Sequence, residues 1–382
     1  MTEFDNLEDV AVELKDAKKN IKLVYAFNGT GKTRLSMLFK GLIQPQVDSE
    51  AETSSLKKIL YYNAFTEDLF TWDNDLENGS ERKLLINANS EWIRKIITVE
   101  GDSARIVEKF QDYVLEDKED ISEKIEAEFN ADVTAVTFRR SYQGNLSENI
   151  KISRGEESNF IWSVFYILMK FIIEQRSSAE EDRRTHEYDE LEYIFIDDPV
   201  SSLDDRRIID VALDLAHLLK ESNQNDTGLK FIITTHHALF FNVLFNELKN
   251  NSSKFLLKKT NQKYLLNSQD NDAPFAYHLM LVDELKEAIF EDRIEKYHFN
   301  LLRNLLEKTA TFLGYKYWGD CVILRDEVGN LEESAPYVRR INLHSHSAYS
   351  DYETRALTTQ EKKVLERVFN QFLQNFSFNN VE

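Results

Sequence analysis

One eight-residue segment constrains this chain more than any other. Ala26-Phe-Asn-Gly-Thr-Gly-Lys-Thr33 follows a short β-branched and aromatic run, Ile21–Tyr25 (IKLVY), and leads into a helical pattern. Two glycines let the backbone double back tightly, so that its N–H groups and the start of the following helix converge on one point, which is how a phosphate is cradled. A chain that opens this way must build a strand–loop–helix unit with a buried strand, the start of an α/β sheet. Asn28, Gly29, Thr30 and Gly31 would form the cradle, Lys32 would reach the β- and γ-phosphates, and Thr33 would hold Mg²⁺. The loop opens on Ala26 where Gly is usual, which is acceptable if φ there is negative. The plainer alternative is a glycine turn that merely closes a strand–helix pair.

Three further segments decide between these readings by their order. Tyr193-Ile-Phe-Ile-Asp-Asp-Pro-Val-Ser-Ser-Leu-Asp204 is an apolar strand ending in paired carboxylates, followed by a turn. It has the form of a Walker B strand and D-loop, with Asp197 placed for Mg²⁺, Asp198 for the attacking water, and Asp204 in the turn beyond. Asp198 is shorter than the Glu usual at that point, which favours slow hydrolysis. Ile152-Ser-Arg-Gly-Glu156 resembles an ABC signature, with Ser153, Gly155 and Glu156 at the start of a helix. Lys230–Thr234 runs into Thr235 and His236, as a switch histidine that senses a γ-phosphate would require. A lone histidine at a strand end is usually structural, but here it follows the other motifs in order. A Gln-bearing loop is not evident, and Asn63 stands in its place. Since signature and phosphate loop close across two domains in such ATPases, one of each per chain implies a homodimer or higher homo-oligomer.

Composition bounds the rest. With 382 residues, 42% hydrophobic, the chain can bury more than one core. Its single cysteine, Cys321, has no internal disulfide partner, and no basic-then-apolar leader opens the sequence, so a cytoplasmic location is expected. Phe160–Ile173 is broken by Lys170 and shorter than the ~20 residues a membrane helix needs; it reads as a buried helix. Further strands are read at Lys58–Tyr62, Tyr193–Ile196 and Lys230–Thr234, mostly parallel and buried, and Glu100–Asn130 reads as charged and roughly helical. The pattern turns helical from Tyr277 to Phe312 after the polar stretch Asn261–Asp272, which places a boundary near 265 and gives domains 1–265 and 266–382. A net charge of −20 weighs against a nucleic-acid partner, but residues 301–350 carry six basic and six acidic side chains and are locally neutral.

In the second domain Arg303 and Glu307 share one helix face. Alone, such a pair is most often a surface salt bridge contributing ~0.3–0.5 kcal/mol. His298 lies about 140° round the helix from Arg303 at ~100° per residue and should face elsewhere. His344 and His346, in Ile341-Asn-Leu-His-Ser-His-Ser347, would lie on one side of an extended segment, where a metal is an alternative role.

Taken over nearly its full length, the chain resembles the PrrC family of bacterial anticodon nucleases. The resemblance rests on Tyr25–Ser36, Ile59–Phe70, Ser153–Ser163 and the segment Leu-Arg303-Asn-Leu-Leu-Glu307-Lys-Thr-Ala. It implies an α/β, ABC-type P-loop nucleotide-binding domain followed by a mainly helical nuclease domain. It implies a triad of Arg303, Glu307 and His346, His346 being preferred to His344 for its Ser-His-Ser context, with an insertion around Asp320–Pro336 lengthening the spacing. Metal-free RNA cleavage needs a base for the 2′-OH, an acid for the leaving 5′-oxygen and positive charge on the phosphorane. Glu307 and His346 would share the first two roles and Arg303 would take the third, leaving a 2′,3′-cyclic phosphate and a 5′-OH. The implied substrate is a tRNA anticodon loop, lysine tRNA above others, with Asp270 and His278 near a stretch that reads it. Tyr277, Tyr297 and Phe299 are candidate base-stacking rings, with helix packing as their plainer role. The implied cofactors are ATP or GTP with Mg²⁺, the resemblance leaning to GTP, with dTTP as a second, regulatory nucleotide. The implied partner is a type I restriction–modification complex that keeps an antiphage toxin silent. The competing reading is a non-nuclease ABC-type ATPase of the DNA-repair or phage-sensor class, whose C-terminal helices only bind.

Overall fold

The computed structural model describes residues 2–45, 57–63, 69–74, 81–87, 97, 103–114, 123–142, 145–200, 203–260, 263–269, 277–326, 328–345 and 357–376. The chain divides into two compact units, Met1–Phe275 and Ala276–Glu382.

The strands of the first unit are β1 (Thr2–Phe4), β2 (Ile21–Ala26), β3 (Ile59–Asn63), β4 (Phe70–Asp73), β5 (Lys83–Ile86), β6 (Glu123–Phe129), β7 (Ala135–Tyr142), β8 (Asn145–Ser147), β9 (Tyr193–Asp197), β10 (Lys230–Thr235), β11 (Ser252–Thr260) and β12 (Lys263–Ser268). Its helices are α1 (Leu7–Asp16), α2 (Lys32–Ile43), α3 (Ser103–Val114), α4 (Arg154–Ser177), α5 (Asp205–Gln224) and α6 (Ala238–Leu248). Among the described residues, seven strands form one sheet in the order β1-β12-β11-β2-β10-β9-β3. The run from β11 to β3 is parallel throughout, as expected for the apolar strands, while β12 and β1 add an antiparallel edge. A second sheet, β4-β5-β7-β6 with β8 beside β7, is antiparallel.

Every residue of β2 is buried, because helices cover both faces of a parallel sheet and leave no solvent side for polar alternation. Helix α4 is the buried helix expected from the apolar run at 160–173, and its aromatic side chains join the two sheets. Phe160 meets Phe138 of β7 edge-on, with ring centroids 5.2 Å apart, and Phe110 of α3 at 5.5 Å. Phe165 stacks on Tyr62 of β3 at 4.4 Å. Each such ring, fully buried, stabilises by roughly 1.5–3 kcal/mol, so this cluster fixes where the start of α4 stands.

Two expectations need correction. The charged stretch 100–130 is not helical throughout: α3 ends at Val114, and Glu123–Phe129 is a strand. There Ile125 and Ala127 are buried while their neighbours are not, a period of two that the abundance of Glu and Lys concealed. The boundary read at 265 falls inside β12, whose Tyr264 and Leu266 pack into the core beneath the sheet. The compact unit therefore runs to Phe275.

The second unit contains α7 (Tyr277–Phe290), α8 (Lys296–Leu313), a short 3-10 turn Trp318–Cys321, α9 (Ala335–Ser345) and α10 (Thr359–Asn375). Leu302, Leu305, Leu306, Ile341, Leu365 and Phe369 are buried. The helical pattern read from Tyr277 to Phe312 is thus two helices, the second stopped by Gly314 at φ +78°. Among the described residues no helix is long and apolar enough to cross a membrane.

Candidate functional site

The glycine loop leaves the C-terminal end of β2, between β10 and β11. Gly29 (φ +82°) and Gly31 (φ +102°) occupy left-handed backbone positions, and Ala26, still within the strand, does not. Gly31 caps α2 without any side-chain hydrogen bond to its first turn, so those N–H groups and the positive end of the helix dipole face the loop. Lys32 is folded over this concavity. Its Nζ donates to Ala26 O at 3.2 Å, Phe27 O at 3.4 Å and Asn28 Oδ1 at 3.2 Å, and stands 3.8 Å from Asp198 Oδ2. Burial lowers the Lys32 ammonium below its ordinary range, against the pull of Asp198 and Asp197.

The register of the parallel strands sets the carboxylates opposite the loop. Asp197 ends β9 beside Thr234 of β10, whose hydroxyl donates to Asp197 Oδ1 at 2.5 Å. Tyr61 of β3 donates to Asp197 Oδ2 at 3.4 Å. Burial raises the Asp197 carboxyl. Asp198 follows at φ +52°, outside the strand geometry. Its Oδ1 accepts from Thr235 Oγ1 at 3.1 Å, and its Oδ2 accepts from His236 Nδ1. Burial alone would raise the Asp198 carboxyl, but the His236 bond and charge, with Lys32 behind them, hold it below the usual range. Loop, Asp197, Asp198 and His236 are therefore one site. Its oxygen donors, Thr33 and Asp197, suit Mg²⁺, and the loop suits a polyphosphate. Sequence reading missed Tyr61 and Thr234; the signal for Thr234 was its place one residue before Thr235 in the same strand.

Ser153, Gly155, Glu156 and Asp204 gather elsewhere, around a cleft of about 320 Å³ also lined by Asn159 and Arg207. Ser153 is the N-cap of α4, accepting from Glu156 N at 3.3 Å, while Glu156 reaches back to Ser153 N at 2.7 Å. Arg140 of β7 holds Glu156 at 2.7 Å. Asp204 caps α5 through Arg207 N at 3.0 Å. Both helix starts are thus fixed at one cleft, with Ser153 and Asp204 serving as caps.

In the second unit Arg303 Nε donates to Glu307 Oε1 at 2.7 Å, and Arg303 Nη1 donates to Ser345 Oγ at 3.2 Å. The guanidinium carbon lies 5.5 Å from the Trp318 ring. Arg303 is thus more than half of a simple surface pair: it joins α8 to the C-terminal end of α9, at the residue preceding His346. His346 and Asp270 lie outside the described residues, as do the side chains of Tyr277 and His278, the latter the second residue of α7. The extended segment expected at 341–347 is helical through Ser345, because Val338 and Ile341 repeat at helical spacing and are buried. His344 turns into the core, 3.4 Å from Glu361 and with its ring tilted against that of Phe299, centroids 4.8 Å apart. Among the described residues the group placed to share a metal is Glu180, His186 and Asp189, not His344. His298 is fully buried, and its Nδ1 accepts from Glu295 N at 2.8 Å, so it takes part in the cap of α8, a role its angular position did not announce. Phe299 is core rather than a stacking surface, and Tyr297 donates to Glu284 at 3.3 Å.

The glycine loop after a central parallel strand, the carboxylates at the end of the next strand but one and the capped helix at the signature define the first unit as an α/β P-loop fold of ABC-like type. A scan of protein-family models finds no match. Among solved structures, an SMC head bound to the C-terminal winged-helix domain of ScpA aligns over 67% of this chain and 91% of its own, at 12% identity and a TM-score of 0.35. The SMC head domain from Thermotoga maritima aligns over 66% and 90%, at 12% identity and a TM-score of 0.29. A curated relative, the anticodon nuclease of Escherichia coli, is 44% identical over 381 residues, covering 96% of this chain and 92% of the relative. The chain belongs to the PrrC family of anticodon nucleases.

Proposed function

We propose that this chain is a nucleotide-gated RNA endonuclease that cuts a tRNA, lysine tRNA in particular, within its anticodon loop. The observation that carries the reading is Arg303 held between Glu307 and Ser345, the residue that precedes His346 in the sequence, in a chain so similar to a protein named anticodon nuclease. Glu307 and His346 act as the acid–base pair on the 2′-OH and the leaving 5′-oxygen, and Arg303 compensates charge on the phosphorane, giving a 2′,3′-cyclic phosphate and a 5′-OH without a metal. Asp270 and His278 contribute to reading the anticodon. In the first unit, Asn28 to Gly31 and Lys32 hold the phosphates of ATP or GTP, and Thr33 with Asp197 hold Mg²⁺. Bound Mg²⁺ neutralises phosphate charge; Asp198 orients water and His236 reads the γ-phosphate through the contact they already share. Ser153, Gly155, Glu156 and Asp204 line a separate cleft, which suits closure over the phosphate loop of a second copy in a homodimer. A regulatory dTTP site and silencing by a type I restriction–modification complex complete the reading as an antiphage toxin.

The test incubates purified protein with total bacterial tRNA, with and without Mg²⁺-nucleotide and with EDTA, and maps the ends. Cleavage at one anticodon that survives EDTA in nucleotide-free protein and vanishes in Glu307→Gln and His346→Ala is expected. Nucleotide hydrolysis with intact tRNA would overturn the nuclease assignment.

A further inference from the structure

The acid–base chemistry above leaves unused an aromatic pair, one ring of which, Trp318, lies against Arg303. After Gly314 the chain turns back and packs the 3-10 turn Trp318–Cys321 against α8. Trp318 is buried under the Arg303 guanidinium, while Tyr317 faces outward with 48% of its surface exposed. The two rings have centroids 5.5 Å apart. Tyr317 can adopt this position because residue 319 is glycine: a Cβ there would meet Tyr317 Cε1 at 2.4 Å, so the ring lies against bare backbone. Phe312 and Tyr315 are also exposed, but it is Tyr317 whose ring touches the residue that carries Arg303.

Charge sharpens the meaning of this placement. Most RNA-binding surfaces draw affinity from an excess of cationic side chains, and residues 301–350, with six basic against six acidic side chains, offer no such excess. Stacking on flat rings is the principal alternative for unpaired bases, and an aromatic side chain already fixed by packing loses little freedom on engaging one. We infer that Tyr317 is a stacking platform for an unpaired nucleobase flanking the phosphate held by Arg303, with Trp318 as the positioning residue that locks platform and guanidinium together. The inference rests on the nuclease reading for the role of Arg303.

The experiment measures cleavage of an anticodon stem-loop RNA by Tyr317→Ala, Tyr317→Phe and Gly319→Ala. It adds binding to Glu307→Gln protein followed by fluorescence of 2-aminopurine at successive loop positions. Tyr317→Ala is expected to raise KM roughly 5- to 150-fold with a far smaller change in kcat, the range that stacking one base provides. Tyr317→Phe should restore KM towards wild type, Gly319→Ala should reproduce the Ala variant by displacing the ring, and one loop position should lose its stacked fluorescence signature. Unchanged KM in Tyr317→Ala, or equal damage in Tyr317→Phe, overturns the platform. If wild-type protein cuts nothing yet binds the loop in a Tyr317-dependent manner, the nuclease reading fails and the platform stands; cleavage with unchanged KM gives the reverse.

Discussion

Replacing Asp198 by Asn isolates one charge at the centre of the candidate nucleotide site. Asn has the same shape and tolerates the left-handed backbone found there, so strain is unchanged. What is lost is the charged half of the His236 bond and the ion pair with Lys32 at 3.8 Å. A hydrogen bond to a charged group contributes ~1.5–3 kcal/mol, whereas stranding a buried charge costs ~3–5 kcal/mol. Lys32 keeps three loop acceptors, so it is not stranded, and the lower range applies. A loss of about 2 kcal/mol shifts the melting of a domain this size by about 4–8 °C. The sign with pH follows from the lowered carboxyl: its stabilisation is complete above the unfolded pKa of ~3.9 and disappears as pH falls through the lower folded value. Scanning calorimetry of wild type, Asp198→Asn, His236→Gln and the double variant between pH 3 and pH 7 reads all of this. Additive effects of the two substitutions, or an Asp198→Asn melt within 1 °C of wild type at pH 7, would refute the coupling.

Three further outcomes are expected. Gly31→Ala puts a methyl 3.0 Å from Leu7 Cδ1 at φ +102° and should weaken nucleotide binding about tenfold by titration calorimetry, given a left-handed penalty of ~1–2 kcal/mol; unchanged affinity would sink this account of the loop. Lys22 is buried in β2, and its ammonium is lowered to about 8 by burial first and Lys230 second. Its charged form is penalised in the fold, so stability should rise as pH climbs from 8 towards ~10.4, and Lys22→Met should remove that slope in chemical denaturation. Ser153→Ala removes the α4 cap at a cost of ~1 kcal/mol and, on the homodimer reading, abolishes nucleotide-driven association in sedimentation; a variant that still dimerises with nucleotide contradicts it.

Local signals made the gathering of the glycine loop with Asp197, Asp198 and His236 readable. A strand, two glycines and a Lys-Thr pair define one short stretch, and β9 and β10 end in polar groups immediately after uninterrupted apolar runs. Parallel strands in register then bring Asp197 beside Thr234 with no further instruction. Tyr61 was invisible because its hydroxyl acts from a third strand whose sequence reads as ordinary apolar β. The strand at 123–129 was lost because one face of it is charged, and β12 because it lies within the polar stretch Asn261–Asp272. In the second unit, the Arg303–Glu307 pair was legible as i,i+4 spacing, but its tie to Ser345 joins residues 42 apart, and no local pattern announces such a contact. His344 was misread because two histidines flanking a serine alternate in the manner of a strand, whereas burial of Val338 and Ile341 sets a helix.

The pairing of Thr2 with Leu266 has a consequence for how the chain is made. The first strand waits at the edge of its sheet for a partner synthesised more than 250 residues later. At roughly 5–20 residues per second, ribosomal synthesis spends at least about 13 seconds before that edge can close. Arg303 and everything beyond it leave the ribosome only after β12. The unit that holds the nucleotide motifs is therefore available to fold, and to load, before the unit that holds the Arg303–Glu307 pair exists. On the proposed reading, in which the second unit cuts RNA under the control of the first, this birth order puts the controlling unit in place ahead of the cutting one.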